Sequence, residues 1–518
     1  MAKKVKQPTL DIHGKPYNRS VMILVLLIGT FAGMLMQTSL GTAIPTLMTS
    51  FDINLGTAQQ ATTWFLLANG IMVPVSAFLV TRISSKWLYW IAYTLLFIGM
   101  AVSAFTPARK DMWFMFLIGR MLAAVAVGIT MPLMQVIMVN IFPAEERGAA
   151  MGLNGLVIGL APAIGPTLTG WILDKNHYLF GILISDSWRT IFYLPLIVLA
   201  VIWVLTPFLV KDVLPNRKMK LDVTSLILSV IGFGIFLWGF TNVASDGWGD
   251  VKNVVLPIVL GIVIIITFIL RQLKLKDPFM DVRVFKNKQF SVTTLSVMMA
   301  MMAMMGVEMM LPTYLQNVHG LSPLDSGLML LPGALMLGVV SPIAGAVYDR
   351  VGARRLALMG FTILALGTFP FMFLSSTTPD IYITALYALR MFGISMAMMP
   401  LTASAMSAVP QEEAAHATAS NNTARQVASA MVVALLASVT QDIINNNQPA
   451  KHLQTTNPLV YANDFLQASM KGFHWSFGLG FGFAVLGIVF AFMLRKGKVI
   501  AGTTNNVRVE REINKEEA

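Results

Sequence analysis

The chain has 518 residues, of which 56% are hydrophobic and 12% are charged, with a mean hydropathy of +0.70 and a formal net charge of +12. Ordinary soluble domains carry about 25% charged residues, so this composition excludes a soluble globule and indicates a protein of the lipid bilayer. Cysteine is absent, which excludes disulfide frameworks, thiolate metal sites and cysteine nucleophiles.

Apolar stretches of about 20 residues, the length that crosses hydrocarbon as a helix, recur about fourteen times along the chain. The predicted spans, in chain order, are 21–45, 61–81, 87–106, 112–141, 149–173, 189–210, 223–245, 254–271, 290–315, 325–347, 356–375, 381–409, 424–442 and 473–494. An even number of spans places both termini on one side of the membrane. The tails and the loops on that side hold 27 of the 37 Lys and Arg residues, against 6 in the opposite loops and 4 within or beside spans. The positive-inside rule therefore predicts cytoplasmic termini.

The second half of the chain repeats landmarks of the first half. Pro74 and Arg82 are matched by Pro342 and Arg350, at an offset of 268 residues (342 − 74). This offset equals eight spans, because Pro74 lies in span 2 and Pro342 in span 10. Spans 7 and 8 are therefore predicted to be an inserted pair between two six-helix halves, and an even insertion keeps the halves parallel. Duplication of this kind is typical of transporters.

The predicted fold class is an all-α integral membrane protein with about 14 transmembrane helices, as two parallel six-helix halves plus two inserted central helices. The predicted segments are a cytoplasmic tail 1–20, a six-helix bundle 21–210, the inserted pair with basic flanks 211–289, a second six-helix bundle 290–494 and a cytoplasmic tail 495–518. The segment 443–472, rich in Asn, Gln and Thr, is predicted to be the one long outer loop.

Spans 4, 9 and 12 each contain an ionisable residue, Arg120, Glu308 and Arg390 respectively. A charge inside hydrocarbon costs several kcal/mol unless it is paired or hydrated, so each predicts a function or a partner. Glu308 is the one carboxylate well inside an apolar span and is the candidate for taking up and releasing a proton. The alternatives are a structural Arg120 that reaches toward the interface and a Glu308 that stays protonated and only fills polar space.

Three sequence motifs are more specific. The loop after span 10 reads Gly345-Ala346-Val347-Tyr348-Asp349-Arg350-Val351-Gly352-Ala353-Arg354-Arg355. Span 5 contains Gly159-Leu160-Ala161-Pro162-Ala163-Ile164-Gly165-Pro166-Thr167-Leu168-Thr169-Gly170. Span 6 begins with Trp188-Arg189-Thr190-Ile191-Phe192. With these motifs the chain resembles the major facilitator superfamily, in its fourteen-helix drug:proton antiporter branch, over nearly its whole length.

The resemblance implies a cytoplasmic gate in the loop after span 10. Its residues are Gly345, Asp349, Arg350 and Gly352, with Arg82 in the corresponding loop of the first half. That first copy has lost the acid and both glycines, so the gate is predicted to be asymmetric, with Asp349 and Arg350 dominant. A generic positively charged loop is the alternative.

The resemblance also implies an antiporter motif in span 5. Its residues are Gly152, Pro162, Gly165, Pro166 and Gly170. Small residues allow close helix approach and prolines bend a helix, which suits a seam between the halves. A purely structural, closely packed helix is the alternative.

For proton coupling, the resemblance points to Arg120, the counterpart of the branch's arginine implicated in proton transfer. The branch usually carries an acid in the first span, but Met36 stands in its place here. Coupling is therefore assigned to Glu308 together with Arg120.

The predicted function is export of small amphipathic compounds, cationic or neutral, in exchange for protons by alternating access in a bacterial plasma membrane. The predicted lining of the substrate cavity is Gln37, Gln60, Trp64, Asn69, Asn154, Tyr314, Gln316, Arg390, Asn421 and Arg425. No cofactor, metal or nucleic acid is expected, because the sequence has no phosphate-binding loop motif and its six histidines lack ligand spacing. The alternatives are export of a lipid, siderophore or metabolite on the same scaffold and, more remotely, a membrane enzyme or receptor.

Overall fold

The structure is a computed structural model that describes residues 11–142, 161, 164–179, 182–214, 222–275, 278, 281–409, 414–450 and 452–495. Its helices are α1 Arg19–Thr38, α2 Leu40–Phe51, α3 Leu55–Arg82, α4 Ser85–Phe105, α5 Trp113–Ile141, α6 with described residues 164–174, α7 Thr190–Leu209, α8 Val223–Asp246, α9 Leu256–Lys274, α10 Lys288–Asn317, α11 Pro323–Val351, α12 Ala353–Thr368, α13 Asp380–Ser407, α14 Ala414–Asn446, α15 Leu453–Thr456 and α16 Pro458–Phe492. Between α6 and α7, β1 His177–Leu179 and β2 Ile182–Ile184 form a small antiparallel hairpin.

The all-α membrane fold is confirmed. Twelve helices in the described part of the chain are long and apolar enough to cross a membrane. The 28-residue α3 and the described part of α6 occupy the two remaining predicted spans, and α2 continues the first span after a break at Ser39. The chain therefore accommodates about fourteen membrane-spanning helices.

Two predicted boundaries are wrong near the C-terminus. Helix α14 begins at Ala414 rather than 424, and α16 begins at Pro458 rather than 473. The segment 443–472 is therefore not one long loop, since only 447–457 separates the two long helices and part of that is α15. Helix α16 starts early for two reasons. The Asn457 side chain accepts a hydrogen bond from the Val460 N–H, and a proline occupies the first helical position. Apolar runs alone do not reveal polar helix ends.

The helices pack as two bundles. The first bundle consists of α1–α7, in which α5 packs against α1, α3 and α4. The second bundle consists of α10–α14 and α16, in which α13 packs against α11 and α12 while α10 packs against α14 and α16. One large buried hydrophobic cluster lies within the first bundle, and a second cluster fills the second bundle and extends across the junction to residues of α2, α3 and α8. This agrees with a duplicated architecture, while the domain boundaries 21–210 and 290–494 stay predictions.

The inserted pair covers the junction between the bundles. Helix α8 packs against both α3 and α14, and α9 packs against α8. At one end, the guanidinium of Arg271 donates two hydrogen bonds of 2.9 and 3.0 Å to Asp222, the residue before α8. This contact lowers the pKa of Asp222 to about 2. A charge-assisted pair therefore ties the ends of α8 and α9 together.

Contacts between helix ends mark one face of the molecule. The Arg495 N–H beyond α16 donates to Oε1 of Gln289 at the start of α10, and Asp212 after α7 accepts from the Ser85 N–H of α4. The end of the bundle where α1 begins and α16 ends is called the terminal face here. The other end is called the opposite face.

Candidate functional site

The two bundles meet along a seam near the opposite face. Nε2 of Gln316 in α10 donates to the Thr42 carbonyl of α2 at 2.9 Å. The Leu55 N–H at the start of α3 donates to Oε1 of Gln441 in α14 at 3.1 Å. Since both bonds join different bundles at the same end of the molecule, the bundles are closed against each other at the opposite face.

Helix α6, which carries part of the predicted antiporter motif, lies in this seam. A methyl group added at Gly165 would lie 2.5 Å from Oγ1 of Thr38 in the first bundle. A methyl group at Gly170 would meet the backbone of Pro323 in the second bundle, and one at Gly327 would lie 2.7 Å from the Pro166 carbonyl. The glycines therefore allow α6 to contact both bundles with backbone atoms, which agrees with the predicted seam role.

The seam reaches about halfway along α3. Oγ1 of Thr423 in α14 donates to the Gly70 carbonyl at 3.2 Å, and a methyl group at Gly70 would lie 2.7 Å from Cβ of Gln426. Closer to the terminal face, a methyl group at Gly338 or Gly345 of α11 would have no described atom within 4 Å. The described close contacts between bundles thus concentrate toward the opposite face.

Glu308 lies beside this seam in α10. Only 3% of its surface is exposed, and its Oε2 has no hydrogen-bond partner among the described residues. The next residue, Met309, accepts at its carbonyl from Nε2 of Gln59 in α3 at 3.2 Å, so the backbone beside the carboxyl contacts the first bundle directly. Helix α10 has eight methionines between 298 and 310, which surround the acid with flexible apolar side chains.

Arg390 of α13 is the charged group that interacts electrostatically with Glu308. Its Nε donates to Oγ1 of Thr368 in α12, and one terminal nitrogen donates to the Ala303 carbonyl of α10, both at 2.9 Å. Its other terminal nitrogen has no partner in the part of the chain that the structure describes. The second bundle therefore buries a cation that hydrogen bonds hold in place and a carboxyl that interacts with it electrostatically.

Arg120 of α5 is buried in the first bundle without comparable partners. Its guanidinium lies 4.3 Å from the centre of the Phe65 ring, and its Nε is 3.5 Å from the Ala61 carbonyl. Both terminal nitrogens lack a hydrogen-bond partner among the described residues. A buried arginine without a carboxylate is costly, so this position demands an explanation.

The other predicted cavity residues are not all brought together. Nδ2 of Asn69 is 3.5 Å from Oε1 of Gln37, whereas Gln60 accepts from the indole of Trp113 inside the first bundle. Tyr314 is fully buried within the second bundle.

Three further members of this set lie along the junction. Trp64 lies 6.2 Å from the Trp238 ring of α8, and its indole nitrogen has no partner among the described residues. In α14, Asn421 is buried and Arg425 is half-buried.

The predicted gate is described in part. Gly352 alone separates α11 from α12 and has a φ of +82°, a conformation that favours glycine. Arg82 is the last residue of α3, Arg350 is the penultimate residue of α11, and both are exposed. The side chain of Asp349 lies outside the description, as do the motif residues Gly152 and Pro162 and the predicted cavity residue Asn154.

Two polar residues with clear structural roles were not predicted. Thr368 holds Arg390, and Asp212 caps α4 through the Ser85 N–H at 2.9 Å. A threonine in an apolar span carries no sequence signal for such a contact. An acid in the basic stretch that follows span 6 is a weak signal, and only the approach of α4 gives it meaning.

Comparison with known proteins decides the family. A family model described as the Major Facilitator Superfamily matches residues 26–433. The chain belongs to the major facilitator superfamily. It is 41% identical over 486 residues to the MFS-type transporter YcnB of Bacillus subtilis, covering 94% of this chain and 97% of that protein.

Two further similarities bear on function and fold. The chain is 34% identical over 489 residues to the lincomycin resistance protein LmrB of Bacillus subtilis, covering 92% of this chain and 96% of LmrB. The crystal structure of the peptide transporter POT in complex with sulfate superposes with a TM-score of 0.63 at 13% identity, covering 95% of this chain and 98% of the other. Family and fold indicate a membrane transporter rather than an enzyme.

Proposed function

We propose that this transporter exports small amphipathic compounds from the cytoplasm in exchange for protons, with both termini and the terminal face in the cytoplasm. Membership of the superfamily supports transport, and the similarity to a lincomycin resistance protein supports drug-like substrates. The excess of Lys and Arg in the tails and alternate loops supports the orientation. The resemblance further predicts cationic or neutral compounds as substrates.

The observation that carries the proposal is the position of Glu308. It is a buried carboxyl in the middle of a spanning helix, it lies where the two bundles meet, and it shares its surroundings with the cation of Arg390. A carboxyl in such a place is either protonated or must balance its charge against Arg390. Binding of a proton and binding of a substrate at this site therefore affect each other.

The seam gives this exchange a direction. When the bundles rock and the opposite face opens, the bonds from Gln316 to Thr42 and from Leu55 to Gln441 have to break. Glu308 and the Met309 carbonyl, which Gln59 now holds, then meet the outer solution, from which the carboxyl takes a proton. Closure of the seam carries that proton inward. Alternating access of this kind needs only one titratable carboxyl at the point of contact.

Expression in a drug-sensitive bacterium tests the proposal. Cells that produce the chain should accumulate less of an amphipathic dye than control cells, and a protonophore should abolish the difference. Glu308→Gln preserves the shape of the side chain but cannot ionise, so it should abolish efflux at normal expression. Asp442→Asn is the matched control. Asp442 lies in α14, near the end of that helix at the opposite face, and the variant should transport normally.

Three outcomes would contradict the proposal. Efflux that survives the protonophore and Glu308→Gln would rule out proton exchange at this carboxyl. Cells that produce the chain could accumulate as much dye as control cells but export a labelled lipid, siderophore or metabolite. That result would favour the same scaffold with another substrate. A chain that moves none of these compounds would favour a receptor or enzyme role.

A further inference from the structure

Among the described residues, the charges buried inside the two bundles do not balance. The described spanning helices bury, wholly or in part, three arginines and one carboxylate away from their ends: Arg120, Arg390 and Glu308 are buried, and Arg425 is half-buried. Glu308 interacts with Arg390, so neither Arg120 nor Arg425 has a carboxylate partner in the described part of the chain. In a low-dielectric interior an excess of two positive charges acts over long distances.

Arg120 has unused donors. Its two terminal nitrogens are completely buried and have no hydrogen-bond partner among the described residues, while the Phe65 ring covers one face of the guanidinium. A planar guanidinium with both terminal nitrogens free presents the fork that binds a carboxylate with two parallel hydrogen bonds.

Arg425 presents a second guanidinium closer to the terminal face. Its side chain is half-buried, and its Nε lacks a partner among the residues that the structure describes. Its neighbours Thr423 and Gln426 contact Gly70 of α3, which fixes Arg425 near the inner end of the seam.

The two arginines lie at different depths. Arg120 contacts α3 at Ala61, and the segment around Arg425 contacts α3 at Gly70. Nine residues of α-helix separate these two levels, which corresponds to about 13 Å along α3. The unpaired cations therefore occupy two successive levels between the terminal face and the sealed opposite face.

We infer that the transported compound is an amphiphile with an anionic head group, a carboxylate, which is bound first by Arg425 and then by Arg120. The inference rests on the proposed export function and names its substrate class. The methionine-rich face of α10 supplies flexible apolar surface for the tail of such a compound. An anionic substrate departs from the expectation of cationic substrates. Met36 occupies the position where an acid would attract a cation, and two arginines without a described carboxylate partner would repel a cation.

The first test measures binding to the purified full chain in lipid nanodiscs with three dansyl probes that share one tail. They are dansylaminoundecanoate, the corresponding primary amine and the corresponding alcohol, followed by energy transfer from tryptophan to dansyl. The carboxylate is expected to bind about tenfold more tightly than the amine, which corresponds to about 1.4 kcal/mol. Equal or tighter binding of the amine overturns the inference.

Arginine variants locate the preference. Arg120→Gln and Arg425→Gln should each reduce the advantage of the carboxylate over the alcohol severalfold, and Arg120→Lys should keep part of it. Arg109→Gln, in an exposed loop where Arg109 pairs with Asp111, is the matched control and should change nothing. If both buried variants retain the full preference, the two arginines are not the recognition site. The measurements on the unaltered chain decide the substrate class even if a variant fails to fold.

Transport out of proteoliposomes loaded with each probe separates this inference from the proposed function. Exchange of an anion for a proton moves positive charge inward, so an interior-negative potential set with potassium and valinomycin should accelerate carboxylate export. One-for-one exchange of a monovalent cation for a proton moves no net charge. Proton-driven export of the amine but not the carboxylate would leave the proposed function intact and overturn the substrate class. Absence of proton-driven export of all three probes would overturn the proposed function itself.

Discussion

The two bundles bury the same type of residue in opposite circumstances. In the second bundle, Arg390 is held by Thr368 and the Ala303 carbonyl and interacts with Glu308. In the first bundle, Arg120 has the Phe65 ring, one distant carbonyl and no acid within the described residues. A duplicated scaffold has thus become asymmetric, with the proposed proton-carrying group in one bundle and, among the described residues, a cation without a hydrogen-bonded acid in the other.

This asymmetry indicates that the two bundles have different roles in transport. Burying an arginine is tolerable when neighbouring oxygens accept its hydrogen bonds and a carboxylate balances its charge. The second bundle meets these conditions without a ligand, whereas the first bundle does not. We therefore expect variants of the first bundle to affect substrate binding and variants of the second bundle to affect coupling and stability.

The largest effect is expected at the seam that both bundles share. Gly165→Leu should abolish transport, because even a methyl group there would lie 2.5 Å from Oγ1 of Thr38. Gly482→Leu in α16 is the matched control, since a methyl group there has no described atom within 4 Å, and it should keep most activity. Dye efflux at equal membrane expression provides the measurement. Full activity of Gly165→Leu would show that close approach of α6 is unnecessary.

The second prediction compares the two loops predicted to form the gate. Asp349→Asn should reduce efflux by more than about tenfold at normal expression, because it removes the only acid in the pair of equivalent loops. Thr81→Ala, at the end of α3 in the degenerate copy, should be nearly silent. Equal losses in the two variants would contradict the asymmetry of the gate.

The third prediction concerns the stability of the two arginine positions. Arg390→Gln should lower the free energy of unfolding by roughly 3 kcal/mol, because it leaves the Ala303 carbonyl without its donor and the Glu308 carboxyl without the cation that it interacts with electrostatically. Arg120→Gln removes a cation that no described residue balances and should be neutral or stabilising by about 1 kcal/mol. Thermal unfolding in detergent, followed by tryptophan fluorescence, measures both. The reverse order would show that Arg120 is the better satisfied residue.

The smallest effect is expected in the inserted pair, outside both bundles. Asp222→Asn removes the contact with Arg271 and should cost about 0.5–1 kcal/mol at neutral pH, since the pair is near the surface. The pKa of Asp222 is lowered from 3.8 to about 2, so its contribution is present above about pH 4 and disappears as the pH falls toward 2. The difference in Tm between the two proteins should therefore shrink over that range. A difference that grows on acidification would contradict the ion pair.

Sequence patterns predicted the features that depend on one helix at a time. Apolar length predicted the spans, whereas the assignments of an inserted pair from repeated landmarks and of Glu308 from the isolated acid in span 9 stay predictions. The patterns did not predict which side chains share a site, because that depends on how helices distant in sequence are rotated toward each other. Tyr314 was expected in the cavity and is buried inside the second bundle, while Thr368 carried no signal.

The most direct test of the account follows protons at Glu308. Proteoliposomes containing the transporter and a trapped pH-sensitive dye should show substrate-induced proton movement for the unaltered chain. The movement should be lost in Glu308→Gln and retained in Asp442→Asn. Undiminished proton movement in Glu308→Gln would contradict the account, because the coupling carboxyl would then lie elsewhere.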